Sequence, residues 1–185
     1  MKFVALLAVM FLTACASSPY QYSQNPTSLK KGVSKYQLAS VDVTLENNRK
    51  LWTSDVVVAS YPNQEAVRSM VAEEIQRLMA AKGISAATVG DANVAIDVQL
   101  NYRRSFVVGS GVTQPVISFS LSGKDRQGEE LVSYYAGEGM LKGGGRKSII
   151  NDQKIMFGKY DHEEEREDIA AVAHLIFQAI ANMGN

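Results

Sequence analysis

One thiol and two imidazoles are all this chain offers to thiol or imidazole chemistry: Cys15, His162 and His174. The two histidines are twelve positions apart on one helical stretch, about 3.3 turns, so they do not share a tight face. No His-x-x-x-His pair, second cysteine or zinc-ligand spacing accompanies them. Glu163, Glu164 and Glu165, with Glu167 and Asp168, could draw a cation, but the alternating ligands and turn glycine of a calcium loop are missing. They read instead as acids at the positive end of a helix dipole. Gly143-Gly144-Gly145 precedes Arg146-Lys147-Ser148, yet Arg146 separates the last glycine from the lysine, so the phosphate-loop spacing fails. Gly109 and Gly111 lack the third glycine of a dinucleotide fingerprint. The expectation is a protein without catalytic residues, cofactor or metal, and not an enzyme.

Cys15 has a different chemistry open to it. Lys2 supplies a positive start, Phe3 to Leu12 form an uncharged apolar run, and small residues lead up to the thiol. The run is too short to cross a bilayer as a permanent helix, which takes about 20 apolar residues. Leu12-Thr13-Ala14-Cys15 resembles the lipobox of bacterial lipoproteins. That resemblance implies a signal peptide at 1–14, a diacylglycerol on Cys15 and an acylated new amino terminus. The alternative is an ordinary secretory signal with a cysteine at its cleavage site. Each buried methylene contributes ~0.8 kcal/mol, so two or more chains anchor stably where one does not. Ala16, rather than an aspartate, follows the cysteine, and in the lipoprotein resemblance this implies the outer membrane.

Without the signal about 170 residues remain, enough for one domain and a tether. Apolar residues make up 46% and charged residues 21%, ordinary for a globular core. Nineteen basic residues balance nineteen acidic ones, which leaves no basic footprint for nucleic acid. One cysteine cannot form an internal disulfide, so the fold must rest on packing.

Residues 15–35 read as the lipidated cysteine and a flexible tether, with Pro19 and Pro26 against a helix. Twenty such residues would hold the domain at an r.m.s. distance of roughly 25 Å from the lipid, unless Tyr20 and Tyr22 pack onto it. The domain is expected over 36–185. Val41, Val43 and Leu45 alternate with polar residues as in a half-buried strand, and Asn47-Asn48 mark a turn. Val56-Val57-Val58 is a second short strand. Val67, Met70, Val71, Ile75, Leu78 and Met79 form one helical stripe from about Gln64 to Lys82, with Asn63 as N-cap and Gly83 at the end. A short strand at 84–89 precedes the clearest one, where Val94, Ile96, Val98, Leu100 and Tyr102 oppose Ala95, Asp97, Gln99 and Asn101. Ile117, Phe119 and Leu121 oppose Ser118, Ser120 and Ser122. Leu131 to Ala136 return as a hairpin partner ended by Gly137 and Gly139. A last helix spans His162 to Met183, its stripe running from Ile169 through Val172, Ala173, Ile176, Phe177 and Ile180, with Asp161 and Glu164 as a capping pair. The expected fold is α+β: a two-layer sandwich, a mostly antiparallel sheet with two amphipathic helices on one face and a wet polar surface on the other.

Two tracts read as core or strand extension, with partner contact as the alternative for each. One is Ser105 to Val116, centred on Phe106. The other, 147–160 with Arg146 before it, combines Lys147 with Ile149, Ile150, Ile155, Met156, Phe157 and Tyr160. The element order over 36–183 resembles small α/β envelope lipoproteins, among them the lipopolysaccharide-assembly lipoprotein and the auxiliary lipoproteins of lipid transport. That resemblance implies an outer-membrane-anchored periplasmic protein, a non-enzymatic accessory or scaffolding subunit of a cell-envelope assembly. Its partners would be membrane lipid, through acylated Cys15, and a larger envelope protein or complex. The alternatives are a binder of an envelope small molecule, lipid or glycan on the polar sheet face or in a helix–sheet cavity, and an envelope hydrolase.

Overall fold

The computed structural model describes residues 22–24, 29–32, 34–49, 58–59, 61–86, 92–106, 115–140 and 162–184. Its elements are β1 (Tyr22–Gln24), β2 (Tyr36–Arg49), α1 (Gln64–Ala81), β3 (Val94–Phe106), β4 (Val116–Lys124), β5 (Glu130–Met140) and α2 (His162–Ala181). The strands form one sheet in the order β1-β5-β4-β3-β2. Three neighbouring pairs run antiparallel, and β2 runs parallel to β3. A parallel pair needs a crossover between its strands, and α1 supplies it.

Alternation decides the layers. Ile96, Val98, Leu100 and Tyr102 of β3 are buried, as are Val41 and Val43 of β2 and Ile117, Phe119 and Leu121 of β4. Against them lie Val67, Val71, Ile75 and Met79 of α1 and Ile169, Val172, Ile176 and Ile180 of α2. Both helical stripes are therefore the ones the 3.6-residue period predicts, and the α+β sandwich is as expected. Asn63 accepts from the Ala66 amide at 2.9 Å, and Gly83 takes φ +70°, the left-handed position after the helix.

Four local expectations change. Tyr22–Gln24 is not tether: it pairs with Val132–Tyr134 of β5, and Leu29 and Ser34 are buried. Tyr22 stacks on Tyr134 with 5.3 Å between ring centres, and its hydroxyl donates to the Ala179 carbonyl at 2.7 Å. That carbonyl belongs to the last turn of α2, where no helical amide can reach it. Asn47 and Asn48 do not turn, because parallel pairing with Arg104 and Ser105 carries β2 on to Arg49. Gly137 and Gly139 lie inside β5, which absorbs them with a register shift opposite Ile117–Phe119. Val58, expected at the end of a short strand, lies in a helical turn with Ala59, while Ser85 makes an isolated bridge to Tyr36 within the stretch expected as a strand. Val56 and Val57, the rest of the 84–89 stretch beyond Ala86, and Asp161 lie outside the described residues.

Gly123 on β4 sits at a close approach on the sheet's dry face. A Cβ there would stand 2.7 Å from Val132 Cγ1 and 3.0 Å from Val94 Cγ1. Branched neighbours cannot swing away from it. Gly123→Ala should lower unfolding free energy by about 1–3 kcal/mol, the usual cost of overpacking, read as a shifted urea midpoint with unchanged slope.

Candidate functional site

The dry face ends in charge. Arg104 and Phe106 continue the inward phase of β3 and are 4% and 3% exposed. Glu165, in the first turn of α2, is 7% exposed and meets the guanidinium: its Oε1 accepts from Arg104 Nε at 2.8 Å and lies 2.8 Å from Nη2. Arg104 Nη2 also donates to the Pro62 carbonyl at 2.8 Å, and the Tyr102 hydroxyl donates to Glu165 Oε1 at 3.2 Å. Burial, reinforced by the charges of Glu165 and Asp168, raises the Tyr102 pKa well above its ordinary value, so the phenol stays a donor. The guanidinium carbon lies over the rings of Tyr61 and Tyr102, 5.6 and 5.8 Å from their centres, within cation–π reach. Tyr61 in turn meets Phe106 edge-on at 5.3 Å. This cluster ties strand, both helix starts and the Pro62 backbone together. Its groups satisfy one another, which makes it a structural joint.

The opposite face is wet and polar. Asp97 accepts from Ser40 at 2.7 Å and from Lys124 at 2.8 Å, and these donors hold its carboxyl below the usual range. Arg103 pairs with Glu138 at 3.3 Å, and Asn101 donates to Ser118 at 3.1 Å. Between these pairs lies a hollow of about 410 Å³. Asp42, Gln99, Ser120 and Tyr135 stand in register across β2, β3, β4 and β5, with Thr44 and Asn101 beside them. Tyr135 is 68% exposed.

Of the residues the sequence singled out, Phe106 is sealed in the core beside Tyr61 and Val58 and is not surface for a partner. Cys15, Arg146, Lys147, Ile149, Ile150, Ile155, Met156, Phe157 and Tyr160 lie outside the described residues. His174 is exposed, its Nε2 at 2.9 Å from the Gln178 amide nitrogen. Among the described residues no three His, Cys, Asp or Glu side chains gather as a metal site, and no helix is long and apolar enough to cross a membrane. The sequence places Glu165 among the acids at the positive end of the helix dipole, whereas the structure buries it against Arg104, in line with its position four residues before Ile169 on the same helical stripe. The sequence reading missed Tyr135 although Val132, Tyr134 and Ala136 fix the opposite parity.

No family model matches the chain, and no curated protein matches it. Among solved structures it is similar to the PelC dodecamer of Paraburkholderia phytofirmans, at 14% identity and TM-score 0.38, over 76% of this chain and 99% of that one. It is also similar to a minor lipoprotein of Acinetobacter baumannii, at 14% identity and TM-score 0.33, over 77% and 91%. At such values no residue of theirs can be mapped onto this chain.

Removing one partner of the buried pair strands the other charge. Glu165→Ala should therefore cost about 3–5 kcal/mol, and Arg104→Met with Glu165→Leu should recover more than half of that. Urea unfolding of the two variants checks it. A loss below about 1 kcal/mol in the single variant would contradict the burial of the pair.

Proposed function

We propose that this protein is a lipoprotein held by acylated Cys15 at the periplasmic face of the outer membrane, where it serves as a non-enzymatic accessory or scaffolding subunit of an envelope assembly. The observation that carries the reading is how soon the fold begins after the lipobox. Tyr22 follows Cys15 by seven positions and is already paired into the sheet. At ~3.6 Å per residue or less, the body cannot lie more than about 25 Å from the lipid. A free tether of twenty residues would have reached to about 70 Å. A short leash suits a subunit that works beside the membrane on whatever is assembled there. Ala16 after the cysteine supports the outer membrane as its address.

Growth in radiolabelled palmitate tests the anchor. The wild-type chain should carry label and sediment with membranes, while Cys15→Ser should be unlabelled and largely soluble. An unlabelled wild type whose fractionation is unchanged by Cys15→Ser would end this reading.

A further inference from the structure

We infer that the open face of the sheet holds an uncharged oligosaccharide in the hollow between Asp42 and Tyr135. This goes beyond the anchoring role and stands whether or not Cys15 is acylated. The geometry comes from strand register. Asp42 lies opposite Gln99, Gln99 opposite Ser120, and Ser120 opposite Tyr135, so a carboxylate, an amide, a hydroxyl and a phenol form one row across four strands. With neighbouring strands 4.7–4.9 Å apart, the row is about 14 Å long. Its volume, about 410 Å³, lies in the range that holds small ligands.

The chemistry of the row matches a sugar. Pyranose rings present hydroxyls at their edges and a C–H face between them. Hydroxyls both donate and accept, and Asp42, Thr44, Gln99, Asn101 and Ser120 supply both complements. Aromatic rings take C–H faces. Tyr135 offers its ring to solvent at one end of the row and is one of two exposed large hydrophobic residues among those described. Its Cε1 lies 3.9 Å from where a Gly137 Cβ would stand, so the ring leans over a position with no side chain to cover it.

Charge narrows the class further. Asp97 is matched by Lys124, and Arg103 by Glu138. The Asp42 carboxylate has no cationic partner among the described residues, so it repels phosphate- or carboxylate-bearing ligands while accepting from hydroxyls. Asp42 and Thr44 have no hydrogen-bonding side-chain partner there either, which leaves their acceptors available to a ligand.

The test uses full-length protein kept free of glycoside detergents, titrated with chitotetraose and with cellotetraose by calorimetry and saturation-transfer NMR. At least one probe should bind saturably. Tyr135→Ala should weaken that binding about tenfold or more, Tyr135→Phe by less than about threefold, and Asp42→Ala by an intermediate factor. Unchanged urea midpoints would separate these effects from misfolding, which is not expected at exposed positions. Absence of saturable binding to both probes overturns the inference, as does undiminished binding by Tyr135→Ala. It is overturned equally if neither sugar binds and Tyr135→Ala instead abolishes a specific protein crosslink.

Discussion

A charge cannot stay buried alone, and that constraint fixes how this domain closes. β3 carries one inward phase from Val94 to Phe106, and that phase brings Arg104 into the dry layer. Taking a guanidinium out of water costs several kcal/mol, which only a close counter-charge and full hydrogen bonding can offset. Glu165, Pro62 and the faces of Tyr61 and Tyr102 supply those contacts. Because the partners come from the start of α2 and from the residue before the cap of α1, satisfying one side chain sets where both helices begin on the sheet. The apolar stripes then pack in the only phase left to them.

Closing one face leaves the other to water. Serines, amides and paired charges line it, and in the row from Asp42 to Tyr135 Ser120 donates to Gln99 at 3.4 Å while Asp42 has no side-chain partner among the described residues. The edges are treated differently from the faces. β1 covers part of β5, and Tyr36 on β2 exchanges backbone hydrogen bonds with Ile84 and Ala86. Gln64 caps the Leu45 amide further along β2 at 3.2 Å. Such covers blunt edge-to-edge aggregation. The same three-residue pairing of β1 brings the sheet to within seven positions of Cys15.

The two helices and the alternating strands were legible because each carries its own period, from Val67 to Met79, from Ile169 to Ile180, and from Val94 to Tyr102. What sequence could not supply was pairing between distant segments. Asn47-Asn48 has turn composition but is held extended by β3, and Tyr22 reads as linker until β5 lies beside it. The parallel sense of β2 and β3 likewise has no local signature. Arg104 and Glu165 were accessible in principle, since each lies on an apolar phase extended by one step. Arg104 was passed over because charged residues conventionally end such phases, and Glu165 was grouped with its acidic neighbours at the positive end of the helix dipole. The polar hollow needed register, and register exists only once four strands are aligned.

The claim on which the proposed position rests is that β1 is part of the folded sheet. Hydrogen exchange on the full-length protein tests it most directly, by following the amides of residues 22–24. Protection there rising with that of Val132–Tyr134, and lost together with it in denaturant, is the predicted result. Exchange at the rate of an unstructured chain while β5 remains protected would contradict the account.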